Sequence, residues 1–139
     1  MATQGSILRI LKDSSGNGLN SLQKTTTFES EALLLGEFDE FGIIIKWVED
    51  SGTGNYTVKP QYSPDSGSTW WDIPEGLNTE TAAGMAAVSA TGWSAEHWRN
   101  LLPNHKNVRT RFVFTAASSP TFSITAYVTA QKVKRATDI

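Results

Sequence analysis

The fold class is decided by one stretch near the C-terminus, Phe122-Ser123-Ile124-Thr125-Ala126-Tyr127-Val128-Thr129-Ala130-Gln131. Every second residue from Phe122 onward is apolar, and the residues between them carry a hydroxyl or amide group. Strict alternation of this kind places the two sets of side chains on opposite faces of a β-strand. The stretch therefore predicts a strand with one fully buried face.

Three further stretches have the same period of two, at residues 41–48, 56–62 and 108–114. Turn-forming residues separate the first two stretches at 49–55, and residues 115–120 separate the third from the C-terminal stretch. The sequence thus predicts two long hairpins. Pro60 has no amide hydrogen to donate, which predicts that its strand lies at a sheet edge or is distorted there.

Shorter strands are predicted at residues 6–12, 25–29, 32–35 and 70–73. A helical period occurs only from Ser94 to Leu102, where Ser94 is suited to be the N-cap and Pro103 ends the pattern. About eight strands and one short helix indicate an all-β protein, a β-sandwich of the jelly-roll-like or immunoglobulin-like kind. The pattern does not decide between these two topologies.

The length of 139 residues favours one domain with one core. We expect residues 23–139 to form this single β-sandwich domain. Residues 1–22 contain an apolar segment, which includes Ile7, Leu8 and Ile10, ahead of a Ser-Ser-Gly-Asn-Gly linker. This segment is expected to be either the first strand of the sandwich or an arm that adds a strand to a neighbouring molecule.

Composition excludes several classes of function. The net charge of −2 argues against a nucleic-acid-binding protein, and the lack of cysteine excludes disulfide scaffolds and thiolate metal sites. No apolar run approaches the ~18 residues of a membrane span, and no signal peptide is recognisable. We therefore expect a soluble protein that is made in the cytoplasm.

Charge is unevenly distributed along the chain. Residues 29–50 hold seven acids and one base, whereas residues 97–139 hold seven bases and one acid. If these segments lie on different surfaces, copies of the chain can meet acid to base around a ring. The alternative is that the two segments pair within one monomer.

The sequence predicts no enzyme and no cofactor. His97 and His105 lack the spacing of metal ligands, and neither a nucleophile elbow nor a phosphate-binding loop is present. The acidic loop at residues 49–55 lacks the regular spacing of a calcium loop and is interpreted as solvated charge.

One local motif is specific. Residues 63–70 match the Asp-box pattern S-x-D-x-G-x-T-W at all five fixed positions, Ser63, Asp65, Gly67, Thr69 and Trp70. The motif predicts a tight hairpin, in which Asp and Ser side chains bond to the turn backbone and Gly adopts a positive φ. The box recurs in sialidase-like propellers away from their catalytic centre. A purely structural hairpin is therefore predicted, and a glycan contact through Trp70 and Trp71 is the alternative.

Trp70 and Trp71 point to opposite faces if both lie on a strand, so at most one of them reaches the main core. The other must be covered by a loop, a partner or a ligand. Trp93 and Trp98 flank the predicted helix and are interpreted as satellite core.

The order of these strands resembles that of small β-sandwich virion proteins of tailed bacteriophages, particularly capsid decoration (cement) proteins. The resemblance covers roughly residues 40–131 and is carried by residues 42–47, 56–70, 108–115 and 122–127. It implies a protein without an active site, made in the host cytoplasm, that binds the major capsid protein on the outer surface of the virion, commonly as a homotrimer. Neither nucleic acid nor membrane is an expected partner. The candidate interface residues are Ile7, Leu8, Ile10, Tyr62, Trp70 and Trp71.

A carbohydrate-binding module on a phage tail or fibre is the alternative function, with Trp70 or Trp71 and Tyr62 stacking on sugar rings. A small esterase or glycosidase is a third interpretation, which no constellation of residues supports.

Overall fold

The computed structural model describes residues 6–72, 85–100 and 107–132. These residues contain nine strands and no helix. The strands are β1 (Ser6–Ile10), β2 (Leu22–Lys24), β3 (Phe28–Glu29), β4 (Glu40–Gly52), β5 (Asn55–Ser63), β6 (Trp71–Asp72), β7 (Gly92–Arg99), β8 (Arg109–Ala117) and β9 (Pro120–Gln131).

Two antiparallel sheets form a β-sandwich, as the alternation predicts. Sheet one has the order β1-β9-β4-β7, and β2 pairs with β9 beyond the end of β1. Sheet two has the order β3-β8-β5-β6. In chain order the strands form four passes, each with members in both sheets: β1 and β2 with β3, β4 with β5, β6 with β7, and β8 with β9. The passes lie in the order first, fourth, second, third across both sheets.

The core fills the space between the sheets. The inward residues of β4, which are Phe41, Ile43, Ile45 and Trp47, are at most 1% exposed, and alternate residues along most of β5, β8 and β9 are also buried. The predicted buried faces of all four long strands are confirmed. Burial of apolar area on this scale is the main force that holds the two sheets together.

The two predicted hairpins are wrong in their pairing. β4 does not pair with β5: it pairs with β9 and β7, while β5 pairs with β8 and β6. The chain instead crosses from one sheet to the other at both predicted turns. The two crossings are adjacent, because Gly52 is opposite Pro120 and Asn55 is opposite Ala117. Alternation identifies the buried face of a strand but not its partner, since both sheets of a sandwich bury one face.

The predicted helix is also wrong, and residues 92–99 form strand β7 instead. Ser94 and Glu96 point towards the interior at this end of sheet one, so the inward set contains polar residues that obscure the period of two. The Ser94 hydroxyl accepts a hydrogen bond from the indole N–H of Trp47 at 3.0 Å. Trp98 is fully buried in the main core. Residues 101 and 102, which complete the predicted helix, lie outside the described residues.

Pro60 lies within sheet two, because β5 has β8 on one side and β6 on the other. Tyr56 exchanges hydrogen bonds with Val88 on the side away from β8 (3.0 and 2.9 Å), and the missing amide of Pro60 faces the same side. Phe112 is opposite Pro60 on β8. Its backbone N–H and C=O both bond to Ser30, which lies on the side of β8 away from β5. The β5–β8 ladder therefore loses no hydrogen bond at Pro60.

The N-terminal strand β1 is paired along its whole length with β9 of the same chain. The loop that follows is fixed by Asp13, whose carboxylate is 2.8 Å from the Lys24 ammonium. Burial opposes ionisation of this carboxyl, but the Lys24 contact and the amides of Asn17 and Ser15 outweigh it and lower the pKa of Asp13.

Candidate adhesive surfaces

The Asp-box lies in the turn between β5 and β6 and is closed by its own side chains. The Asp65 carboxylate accepts hydrogen bonds from the amide and hydroxyl of Thr69 (2.8 and 2.7 Å) and from the Ser63 hydroxyl (2.8 Å). The Ser63 oxygen in turn accepts the amide of Gly67 at 2.7 Å, and Gly67 has a φ of 98°. These bonds fix the turn without help from a ligand.

Acidification from about pH 4 to pH 2 is expected to open this hairpin. Hydrogen bonds from Thr69, and then from Ser63, lower the pKa of Asp65 from 3.8 to about 2. Because this pKa is depressed in the folded state, the stabilisation is complete above about pH 4 and is lost as the pH falls towards 2. An NMR titration of the Gly67 and Thr69 amides checks this, and Asp65→Asn should abolish the transition. Identical titrations of the wild type and this variant would contradict the assignment.

A polar network follows the hairpin across the outer face of sheet two. The guanidinium of Arg111 lies 4.3 Å from the ring centroid of Trp70 and donates to the Gln61 side-chain oxygen at 2.9 Å. Gln61 donates to Asp72, which also pairs with Lys59 at 2.9 Å. Trp70 is consequently half-buried under a charged side chain and does not offer an open ring face on this side.

The predicted trio of sugar-stacking aromatics does not form. Tyr62 is only 7% exposed, and its hydroxyl donates to the side-chain oxygen of Asn100 at 3.3 Å inside the sandwich. Trp71 stands opposite Tyr62 at the edge of sheet two and is 64% exposed. Of the three proposed stacking residues, only Trp71 therefore presents an open ring.

A different apolar surface lies on the outer face of sheet one. Leu8 and Trp93 are 69% and 66% exposed, Val48 is exposed, and three further side chains are half-buried. We call this set the apolar band; its members are Leu8, Ile10, Ile44, Val48, Trp93 and Tyr127. Leu8 and Ile10 are among the predicted interface residues, whereas Ile7 points the other way and packs against the core.

The strand register brings the band together. Ile10, Tyr127, Ile44 and Ala95 form one row across four strands, and Trp93 and Lys46 occupy the next row. A sequence signal for this band is present in β4, where the residues between the buried ones include the apolar Ile44 and Val48. The sequence predicts Trp93 as satellite core, and its exposure corrects that prediction.

A cleft of about 360 Å³ continues the band at the start of β4. Phe41 and Thr129 line it, and next to it is Gly42, where an added Cβ would lie 2.7 Å from the Glu96 carbonyl oxygen and 2.9 Å from the Thr129 hydroxyl. Leu8, His97 and the hydrogen-bonded pair of Gln131 and Glu40 also line the cleft. In the described ranges, no three His, Asp or Glu side chains converge in a way that could hold a metal ion. His105 lies outside those ranges.

The acid-rich segment takes part in an ion pair with the N-terminal strand. Glu31 accepts two hydrogen bonds from the guanidinium of Arg9, both at 3.0 Å. Ion pairs at this degree of exposure typically contribute less than about 1 kcal/mol. In the described part of the chain there is no helix long and apolar enough to span a membrane.

No protein-family model matches the chain, and no curated protein matches it either. A solved structure described as "Structure of infectious bursal disease virus Gx strain" aligns with a TM-score of 0.48 and 8% sequence identity. The alignment covers 94% of this chain and 32% of that chain, so this protein corresponds to only part of the length of the viral chain. Functional evidence therefore comes from the surfaces described above.

Proposed function

We propose that this protein is a non-enzymatic virion structural protein, a capsid decoration (cement) protein of a tailed bacteriophage. In this role it is made in the host cytoplasm, binds the major capsid protein on the outer capsid surface and stabilises the head. It acts as a homotrimer, and it requires no cofactor, nucleic acid or membrane.

The observation that carries the proposal is the apolar band. The interior already buries the large side chains that a sandwich of this size needs, yet Leu8, Trp93 and Val48 remain exposed on one sheet face. A contiguous exposed apolar patch on a soluble domain marks an interaction surface. Adhesion through a rigid face is what a cement protein requires.

The order of the strands supports the same role. The succession of first, fourth, second and third pass in both sheets is the order of a jelly roll. Jelly-roll sandwiches build viral capsid domains and also lectins. The fold is thus compatible with the main proposal and with the carbohydrate-binding alternative. The exposed surface residues are what distinguish these two functions.

Addition of the purified protein to expanded capsids, assembled from the major capsid protein of the same phage, tests the proposal. We expect the protein to co-sediment with the capsids and to raise their disruption temperature in differential scanning calorimetry. At a concentration 100 times Kd, linkage gives about 2.7 kcal/mol of stabilisation for each occupied site. Absence of co-sedimentation at any attainable concentration would reject the proposal, and light scattering reports whether the free protein is a trimer.

Trp71 favours the second candidate, a carbohydrate-binding module on a tail or fibre. Its ring is open, and it adjoins the rigid Asp-box hairpin. Glycan-array binding that disappears in Trp71→Ala, together with no affinity for capsids, is the result expected from that module.

A further inference from the structure

The two outer faces of the sandwich differ in what their side chains already contact. On sheet two, Lys59 and Gln61 both donate to Asp72, and Arg111 donates to Gln61, so these contacts connect three strands. On sheet one, the corresponding central positions hold Ile44 and Tyr127, with Trp93 beside them. A partner that covers sheet two must break existing polar contacts, whereas a partner that covers sheet one buries apolar area that is now in water.

Lys46 is a charged group in the middle of the apolar band. It stands between Thr125 on β9 and Trp93 on β7, and its ammonium is 5.9 Å from the Trp93 ring centroid. Within residues 6–72, 85–100 and 107–132, no carboxylate forms an ion pair with Lys46. A partner that covers the band removes water from this ammonium, and that costs free energy unless the partner supplies an opposite charge.

The acids of the same face are already engaged. Asp50 accepts hydrogen bonds from Ser123 at 2.6 Å and from Gln23 at 3.1 Å. Glu40 accepts one from Gln131 at 3.2 Å. The complement that Lys46 needs is therefore a carboxylate from the partner, set within an apolar surface.

The size of the face indicates what kind of partner covers it. Four strands with a spacing of ~4.8 Å, over about eight residues that each rise ~3.4 Å, give a face of about 500 Å². A stable pair of proteins usually buries about 800 Å² on each partner. One such face is small for a lasting contact between two copies, but a repeating shell adds several such contacts and gains avidity.

We infer that the apolar band is the face that docks on the capsid shell, and that the shell presents a carboxylate opposite Lys46. This inference rests on the proposed function and names the surface that performs it. The outer face of sheet two then points away from the shell, and Trp71, on the edge strand of that sheet, lies outside the contact.

Two tryptophans provide a matched test, because Trp93 and Trp71 are 66% and 64% exposed and lie on different sheets. Binding of each variant to expanded capsids is measured by co-sedimentation. Trp93→Ser should weaken binding at least about tenfold, the loss expected for an aromatic interface anchor. Trp71→Ser should bind within about twofold of the wild type, since it lies outside the face.

Two lysines test the charge in the same assay. Lys46→Glu places a carboxylate against the expected carboxylate of the shell and should weaken binding at least about tenfold. Lys59→Glu makes the same change on the central strand of sheet two, where Lys59 pairs with Asp72, and should leave binding unchanged. Unaltered melting temperatures show that all four variants are folded.

The outcomes separate the surface from the function. If the wild type does not bind capsids, the proposed function fails and this inference fails with it. If the wild type binds and both band variants bind equally well, the inference alone is wrong. Loss of binding in Trp71→Ser only would assign the contact to sheet two. Band variants that dissociate a homotrimer but still bind capsids would assign the band to contacts between copies, which also overturns the inference.

Discussion

Replacement of Trp47 by alanine should lower the free energy of unfolding by about 3–5 kcal/mol, the range for removal of a fully buried aromatic side chain. The Trp47 ring is 0% exposed and lies 5.8 Å from Tyr56, 6.2 Å from Phe114 and 5.6 Å from Phe122 between ring centroids. These rings come from three other strands in both sheets. Alanine therefore leaves a cavity at the centre of the sandwich that neither sheet can close alone.

Urea denaturation followed by circular dichroism measures this loss as a lower midpoint with an unchanged slope. Because domains of this size are stable by only about 5–15 kcal/mol, the variant should retain a small part of its stability. Trp93→Ala is the matched control, since it removes the same side chain from an exposed position and should change stability by no more than about 0.5 kcal/mol. Similar losses in both variants would show that Trp47 is not a core residue.

The sequence predicts the buried faces well and the strand partners poorly, and the reason lies in what alternation reports. Phe41, Ile43 and Ile45 are identified as buried because side-chain direction is a local property of a strand. The pairing of β4 with β9 depends on residues that lie 68 to 91 positions further along the chain. A turn-rich segment such as 49–55 is equally suited to a hairpin and to a crossing between sheets.

Residues 94–99 mislead for a physical reason. Ser94 points inward because it accepts the hydrogen bond of Trp47, which is 47 residues away in the sequence. The inward set of β7 thus contains polar side chains, and the spacing of Ala95 and Trp98 suggests a helix instead. A polar contact between distant strands leaves no local signal in the sequence.

The candidate surfaces divide in the same way. The bonds of the Asp-box connect residues no more than four positions apart, from Ser63 to Thr69, so the motif specifies its own geometry. The apolar band combines Leu8, Ile44, Trp93 and Tyr127 from four strands. Their adjacency exists only in the order β1-β9-β4-β7, which the sequence does not reveal. Tyr62 lies on the inward face that the alternation of residues 56–62 predicts, and its hydroxyl meets Asn100, 38 residues later, so its prediction as an interface residue is corrected.

The crossing from β4 to β5, which contains Gly54, should be as important for the free energy of unfolding as the core. An added Cβ at Gly54 would lie 2.1 Å from the Ala117 carbonyl oxygen and 2.6 Å from Pro120. Backbone atoms of the neighbouring crossing cannot rotate away as a side chain can, so the two crossings must separate. We expect Gly54→Ala to cost about 3 kcal/mol or more, at or above the upper end for an overpacked site.

Gly92→Ala is the control for this prediction, because an added Cβ there has nothing within 4 Å. Alanine in a strand is more favourable than glycine by roughly 0.5–1 kcal/mol, so this variant should be neutral or slightly more stable. A Gly54→Ala variant as stable as Gly92→Ala would mean that the crossings are not held in close contact.

Gly54→Ala should also weaken capsid binding, but only in proportion to the unfolded fraction. Trp93→Ser should weaken it at an unchanged melting temperature, so the two variants separate the framework of the sandwich from the face that it presents.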